Sequence, residues 1–281
     1  MTETTAANPE LLQDQVASLL VQPLEAASVV LSSGPRIFDT SGVLRIPKLV
    51  SGANVGFVGE GGLIPDDADV DFDELTLMPT ERKSIKTILK YTNELVRQSV
   101  IGIDAVLRAR LVKDVSDALD DALLKGTGAS DSITGIWHQS GVTTGVFDPT
   151  DPDSLLDAIG QLNAQEVMPN RWFINGTDFI TLRKVKETAG SAKYVLESDL
   201  TKDATYRLFG IPVTVTNKLS PGTAILADMS AVAVARDIAP SVTVLTERYA
   251  EYDQIGLRVV TRYDVGLLHP VAIARLSEPG T

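Results

Sequence analysis

Six acids crowd residues 66–74, Asp66, Asp67, Asp69, Asp71, Asp73 and Glu74, and carboxylates at such spacing are what a hard divalent cation binds. Asp69-x-Asp71-x-Asp73 opens like a calcium loop. The sixth position, however, holds Glu74 where the sharp turn needs glycine, and the twelfth holds Thr80 where a bidentate Glu should close the shell. The run reads as a solvated acidic loop. Two glycine clusters, Gly59-Glu60-Gly61-Gly62 and Gly126-Thr127-Gly128, invite comparison with phosphate loops. Neither continues into Gly-Lys-Ser/Thr or the dinucleotide spacing at a helix entry, so both read as turns. A serine nucleophile needs a base, yet the only histidines are His138 and His269, and no Gly-x-Ser-x-Gly elbow is present. Both histidines read as packing or surface residues. Carboxylates elsewhere could be paired as acid and base, but no second signal supports glycosidase chemistry. Asn175-Gly176-Thr177 is formally a glycosylation sequon and reads better as a turn. With 0 cysteines, thiol catalysis, disulfides and iron–sulfur ligation are excluded. No catalytic, cofactor-binding or metal-binding residue is expected, and the expected chemistry is that of surfaces.

The elements that would present those surfaces follow from pattern. The chain has 281 residues, 44% of them apolar, enough for a sizeable core, and no apolar run long enough to span a bilayer. Its 37 acids against 25 bases leave a formal charge of −12, which disfavours nucleic-acid binding driven by counterion release. The opening MTETTAANPE lacks the basic and apolar regions of a secretory signal, so a cytoplasmic start is expected. Leu11, Leu12, Gln15, Val16, Leu19 and Leu20, between Pro9 and Pro23, predict a short helix on an extended, cation-free arm. Short β-rich pieces at Val43–Ile46, Val55–Val58, Leu75–Leu77 and Ile85–Tyr91 predict a long hairpin excursion with too few large side chains for its own core. Asn93 offers a cap to a short helix. From Ile103 to Lys125, Ile103, Leu107, Leu111, Val115, Leu119 and Leu123 recur every four positions, predicting a helix on the order of 35 Å long. Residues 129–235 read as mixed α/β, with helices near Pro152–Gln165 and Thr177–Thr188 and strands at Arg171–Ile174, Pro212–Thr216 and Ala224–Leu226. The tail alternates as β through Val242–Glu247, Leu257–Tyr263 and Val271–Leu276.

The order of these segments carries a resemblance from about Leu24 to Leu276. Along the excursion stand Ile46-Pro47, Gly52-Ala53, Val58-Gly59-Glu60-Gly61, Pro65 and Phe72-Asp73-Glu74-Leu75-Thr76-Leu77-Met78-Pro79. Thr92-Asn93-Glu94-Leu95 then leads into the long helix, and Leu124-Lys125-Gly126-Thr127-Gly128 with Gly135-Ile136 follow it. Downstream come Arg171-Trp172-Phe173-Ile174-Asn175, Leu208-Phe209-Gly210-Ile211-Pro212-Val213 and His269-Pro270-Val271-Ala272. In this order and spacing the sequence resembles the major capsid proteins of tailed bacteriophages, with the Hong Kong 97-type shell fold. The resemblance implies an α+β fold. Its parts are an N-terminal arm and lead-in (1–43), an extended loop (44–91), a peripheral domain with a spine helix (92–128), an axial domain (129–235), and a returning β segment of the peripheral domain with the closing strand (236–281).

The same resemblance implies a structural protein rather than an enzyme. It would self-assemble as pentamers and hexamers into an icosahedral shell, in the bacterial host cytoplasm, and end in the virion. The shell encloses double-stranded DNA without specific binding and without a membrane. Scaffolding, portal and possibly decoration proteins are the implied partners. Some family members carry about a hundred extra N-terminal residues as a fused scaffold; the short arm here leads to the expectation of a separate one. Others cross-link a loop Lys to an Asn late in the fold. Lys83, Lys86 and Lys90 are present, but no Asn follows Asn217 and Gln254 is the only late amide side chain, so noncovalent contacts are expected. The alternatives are an encapsulin nanocompartment shell, whose cargo-capturing N-terminal helix is not evident here, and, from a different class, a small cytoplasmic hydrolase.

Overall fold

The structure, a computed structural model, describes residues 28–49, 57–61, 72–78, 84–94, 103–129, 132–186, 206–245 and 247–279. The expected helix near residues 11–20 and most of the acidic run lie outside them. In chain order the elements are β1 (Arg36–Asp39), β2 (Leu44–Leu49), β3 (Phe72–Leu77), β4 (Ile85–Thr92), α1 (Ile103–Lys125), β5 (Thr143–Val146), α2 (Asp153–Asn163), β6 (Arg171–Ile174), α3 (Gly176–Arg183), β7 (Arg207–Leu208), β8 (Ile211–Val215), β9 (Thr223–Ala227), β10 (Val232–Leu245), β11 (Gln254–Leu267) and β12 (Ile273–Ser277). They form a four-stranded sheet, β1-β10-β11-β4, a six-stranded sheet, β5-β12-β9-β6-β8-β7, and the separate hairpin β2-β3.

The period-four stripe does what its spacing dictates. Leu111, Val115, Leu119, Leu123 and Leu124 of α1 are buried in one cluster with Val232 and Val234 of β10 and with Leu257, Val259, Val265 and Leu267 of β11. The C-terminal end of the helix reaches Phe173 and Ile225 of the six-stranded sheet, so one helix spans both sheets. A second cluster fills the far side of the six-stranded sheet, where Leu155, Ala158 and Leu162 of α2 and Phe179 and Leu182 of α3 meet Trp172, Ile174, Leu226 and Leu276.

The structure departs from the sequence reading at four places. First, Ile85–Thr92 is not the return leg of the excursion but an edge strand of the four-stranded sheet, in register with Gln254–Thr261. Its partner lies far along the chain, beyond the reach of local pattern. Second, Phe57 and Val58 are not in a strand; they lead into a turn at Glu60–Gly61. Third, α3 ends at Arg183 rather than Thr188. The Lys184 N–H bonds both the Ile180 and Thr181 carbonyls and the Val185 N–H bonds Leu182, a tightening to three-residue spacing that closes the helix. Fourth, the division at 235/236 falls inside β10. Arg236, Asp237 and Pro240 interrupt the apolar run, but the strand absorbs them as register shifts between Arg236 and Ile238 and between Ile238 and Ser241. Conversely, β12 joins the six-stranded sheet between β5 and β9.

Candidate functional site

The residues that could have done chemistry are set apart from one another. Asp73 and Glu74 sit on β3 and pair across the hairpin, Asp73 with Lys48 at 2.9 Å and Glu74 with Arg45 at 3.5 Å. The Lys48 ammonium and the Glu74 N–H hold the Asp73 carboxyl below its ordinary range. Among the described residues no group of three or more His, Asp or Glu is arranged to hold a metal, and no helix is long and apolar enough to cross a membrane. His138 ends a short 3-10 turn and His269 precedes another, both exposed. The Gly126 cluster is a backbone crossing. A Cβ on Gly126 would lie 2.2 Å from the Ile133 carbonyl oxygen, and one on Gly135 would lie 2.6 Å from the Gly126 nitrogen, so only glycine allows the Gly135 N–H to reach the Gly126 carbonyl at 2.7 Å. Asn175 is a buried N-cap: its Oδ1 accepts from the Thr177 N–H at 2.9 Å and its Nδ2 donates to the Leu219 carbonyl at 2.7 Å. A glycan has no access there.

Two features build surface instead. The hairpin β2-β3 is seated on the four-stranded sheet at one end. Leu44, Ile46, Leu75, Leu77 and Met78 pack on Ala233 and Ala235, the β10 face opposite α1. Gly266 lies directly across from Ala233, and a Cβ there would meet the Leu77 and Leu75 methyls at 2.7 and 2.9 Å. Three small residues therefore make the seat. Asp264 bolts it, its Oδ2 accepting the Met78 N–H at 2.8 Å and its Oδ1 the Val265 N–H at 2.9 Å. Beyond the root, Phe57 is 112% exposed relative to its reference value, an aromatic ring with nothing of its own subunit against it.

Asp120 is the second feature, and nothing in the sequence reading singled it out. It is only 1% exposed on the buried stripe of α1. Its carboxylate accepts the Ser28 hydroxyl at 2.6 Å, the Val29 N–H at 2.8 Å and the Val30 N–H at 3.1 Å. Burial pushes the carboxyl above its ordinary range against these three bonds and the nearby Lys218 charge. The effect is a clamp that fixes the segment entering from the N-terminal arm onto the C-terminal third of α1. The detectable signal was periodic: Ser116 and Asp120 fall four apart on the stripe of leucines, where a charged residue needs a partner.

A cleft of about 360 Å³ lies between the hairpin root and residues 132–140, lined among others by Met78, His138, Tyr263 and Asp264. Two of its polar side chains are committed to backbone, Asp264 as above and Gln139 by donating to the Thr134 and Val265 carbonyls at 2.9 and 3.1 Å. A second, of about 530 Å³, lies at the C-terminal end of α1 beside Trp137 and Leu219; its Lys125 and Asp121 pair with each other at 3.0 Å. Neither presents an activated nucleophile.

Comparison with known proteins follows the same line. A family model described as the phage capsid family matches residues 10–277. The major capsid protein of Halomonas phage phiHAP-1 is 31% identical over 101 residues, 36% of this chain and about 16% of that relative's length. Among solved structures, one from Microbacterium phage Oxtober96 superposes with a TM-score of 0.73 at 18% identity, covering 90% of this chain and 91% of that one. The capsid of a native GTA particle gives 0.72 at 16% identity, covering 90% of each. One from Mycobacterium phage Adephagia gives 0.71 at 16%, covering 90% and 91%. At these identities the likeness shows the fold, the α+β Hong Kong 97-type shell architecture.

Proposed function

Since the chain belongs to the phage capsid family, we propose that it is a major capsid protein that self-assembles into the icosahedral head shell around a phage's double-stranded DNA genome. The observation that carries this reading is the hairpin: two strands that, among the described residues, pack on the rest of the subunit at one end, with Phe57 of the intervening segment fully bare. Isolated two-stranded ribbons are marginal in water, and exposed aromatics are typical interface anchors. The hairpin gains its missing partner surface when it lies over an adjacent subunit.

The remaining parts follow from this reading. The helix α1 serves as a strut of a peripheral domain, and the six-stranded sheet lies toward the axis of pentamers and hexamers. A net charge of −12 per copy keeps the wall from adhering to the DNA it encloses. Scaffolding, portal and possibly decoration proteins are the partners of such a shell, assembly takes place in the bacterial cytoplasm, and the destination is the virion.

Electron microscopy and sedimentation of the purified chain test the proposal. Shells, or pentamers and hexamers, are the expected species; a monodisperse 30.1 kDa monomer under every condition that assembles related shells overturns it. The loop is tested by replacing residues 49–72 with Asn-Gly, which joins Lys48 to its partner Asp73 through a two-residue hairpin turn and spares β4. The expected product is a folded subunit that does not assemble, and normal shells from it would refute the role of the loop.

A further inference from the structure

We infer that the two ends of the six-stranded sheet are the two halves of one head-to-tail contact between neighbouring copies of this chain. The inference rests on the shell reading above and names the contact that closes its rings. The ends are β5 and β7, about 24 Å apart across six strands, and among the described residues their charges are opposite. At the β7 end, Arg183, Lys184, Lys186 and Arg207 all reach solvent to some degree. The one acid among described residues 176–186 and 206–215 is Asp178, which is buried and spent on the Gly222 N–H at 2.8 Å. At the β5 end, the chain from Gln139 to Asn163 has no Lys or Arg and four acids, Asp148, Asp151, Asp153 and Asp157. This segment includes β5 and α2, which pack together through Phe147 and Leu155.

Each end also carries an exposed apolar centre, as interfaces with a charged rim do. At the β7 end, Ile180 is 48%, Tyr206 41% and Phe209 43% exposed; at the β5 end, Val146 is 54% and Leu156 45% exposed. Phe209 is the telling residue. It stands in the two-residue turn between β7 and β8 with φ of +50°, followed by Gly210 at +83°, a left-handed conformation that suits glycine or asparagine and not an aromatic ring. The fold accepts that strain and leaves the ring half in water. Beside it the Arg183 guanidinium stacks 5.6 Å from the Tyr206 ring, a rigid, amphipathic surface. Because the complementary halves sit at opposite ends of one sheet, the contact is heterologous, and heterologous contacts close into rings.

Charge reversal tests this in a way that other contacts cannot imitate. Lys184→Glu, Lys186→Glu and Arg207→Glu together leave Arg183 against three acids and make both ends acidic; Asp151→Lys, Asp153→Lys and Asp157→Lys leave Asp148 against three cations and make both ends basic. All six positions are exposed, and circular dichroism checks that each variant is folded. Each variant alone should assemble at least about tenfold more slowly than the wild type at low salt, the difference shrinking as salt is raised. Mixed in equal amounts, acidic and basic copies should alternate and form six-membered rings, but not five-membered ones, since an odd ring cannot alternate. The neutral variant Lys184→Gln, Lys186→Gln and Arg207→Gln should be slowed less than the reversal. If the wild type assembles and the reversed variants do so equally well alone, or if the folded mixture gives no rings, the inference is overturned and the shell reading stands. A wild type that forms no rings or shells at all removes both.

Discussion

A carboxylate in the middle of a leucine stripe is tolerable only if something solvates it, and Asp120 is solvated by Ser28, Val29 and Val30. Replacing it with Ala leaves two N–H groups and a hydroxyl without their acceptor, at about 1–3 kcal/mol for each group that stays buried; urea unfolding should show the loss, and proteolysis should release the segment around Ser28 first. Asp120→Asn keeps one acceptor oxygen and should fall between. The pH dependence has a definite sign. Burial raises this carboxyl above 3.8, so the folded state holds its proton more tightly than the unfolded one. The stability tied to Asp120 is therefore fully present below about pH 3.8 and is lost as pH rises through the higher folded value. Compared with Asp120→Asn, the wild type should gain stability on acidification through that window and be flat above it; a relative loss on acidification would mean that the hydrogen bonds outweigh burial. Residue-scale roles of this kind were the least legible in the sequence. Asn175 read as a turn and is a cap that also reaches the Leu219 carbonyl, and Gly126 read as a turn and is also a crossing point against Ile133 and Gly135, because both roles are set by backbone geometry that residue type alone does not reveal.

Elements whose signal is local were legible. The stripe from Ile103 to Lys125 predicted α1 with its observed ends, and the hairpin was read as a ribbon without a core. β4 was assigned to the wrong sheet because its partner, β11, lies beyond any window that periodicity can see. Leu111→Pro removes a hydrogen bond in mid-helix and should cost about 3 kcal/mol or more, with loss of assembly seen by sedimentation. Asp114→Ala breaks only the exposed pair with Arg110, 3.0 Å, and should cost about 0.3–0.5 kcal/mol and assemble normally. Normal shells from both would sink the strut reading. Gly266→Val tests the hairpin seat. Its methyls would drive into Leu75 and Leu77, so a cost of about 1–3 kcal/mol and earlier cleavage within the hairpin than in the helix are expected from limited proteolysis.

For the whole molecule, the order of segments identified the architecture, while the domain division drawn at 235/236 falls inside β10, which runs through a charged and proline-bearing stretch. The late amide position follows the same geometry: Gln254 pairs in register with Thr92, on the strand that also carries Lys86 and Lys90. Particles boiled in denaturing detergent should therefore give one band near 30.1 kDa; a ladder of multimers would make Gln254 the first residue to change. The seat of the hairpin also has a consequence in time. Met78 is bolted to Asp264, 186 residues later, and at about 5–20 residues per second a ribosome needs roughly 10–40 s to travel that distance. Until the end of that interval the nascent hairpin lacks its bolt, and α1, once made, waits for β10 and then β11. The polypeptide that emerges cannot dock on a finished neighbour until its own synthesis is nearly complete, so the timetable of translation itself holds back premature assembly.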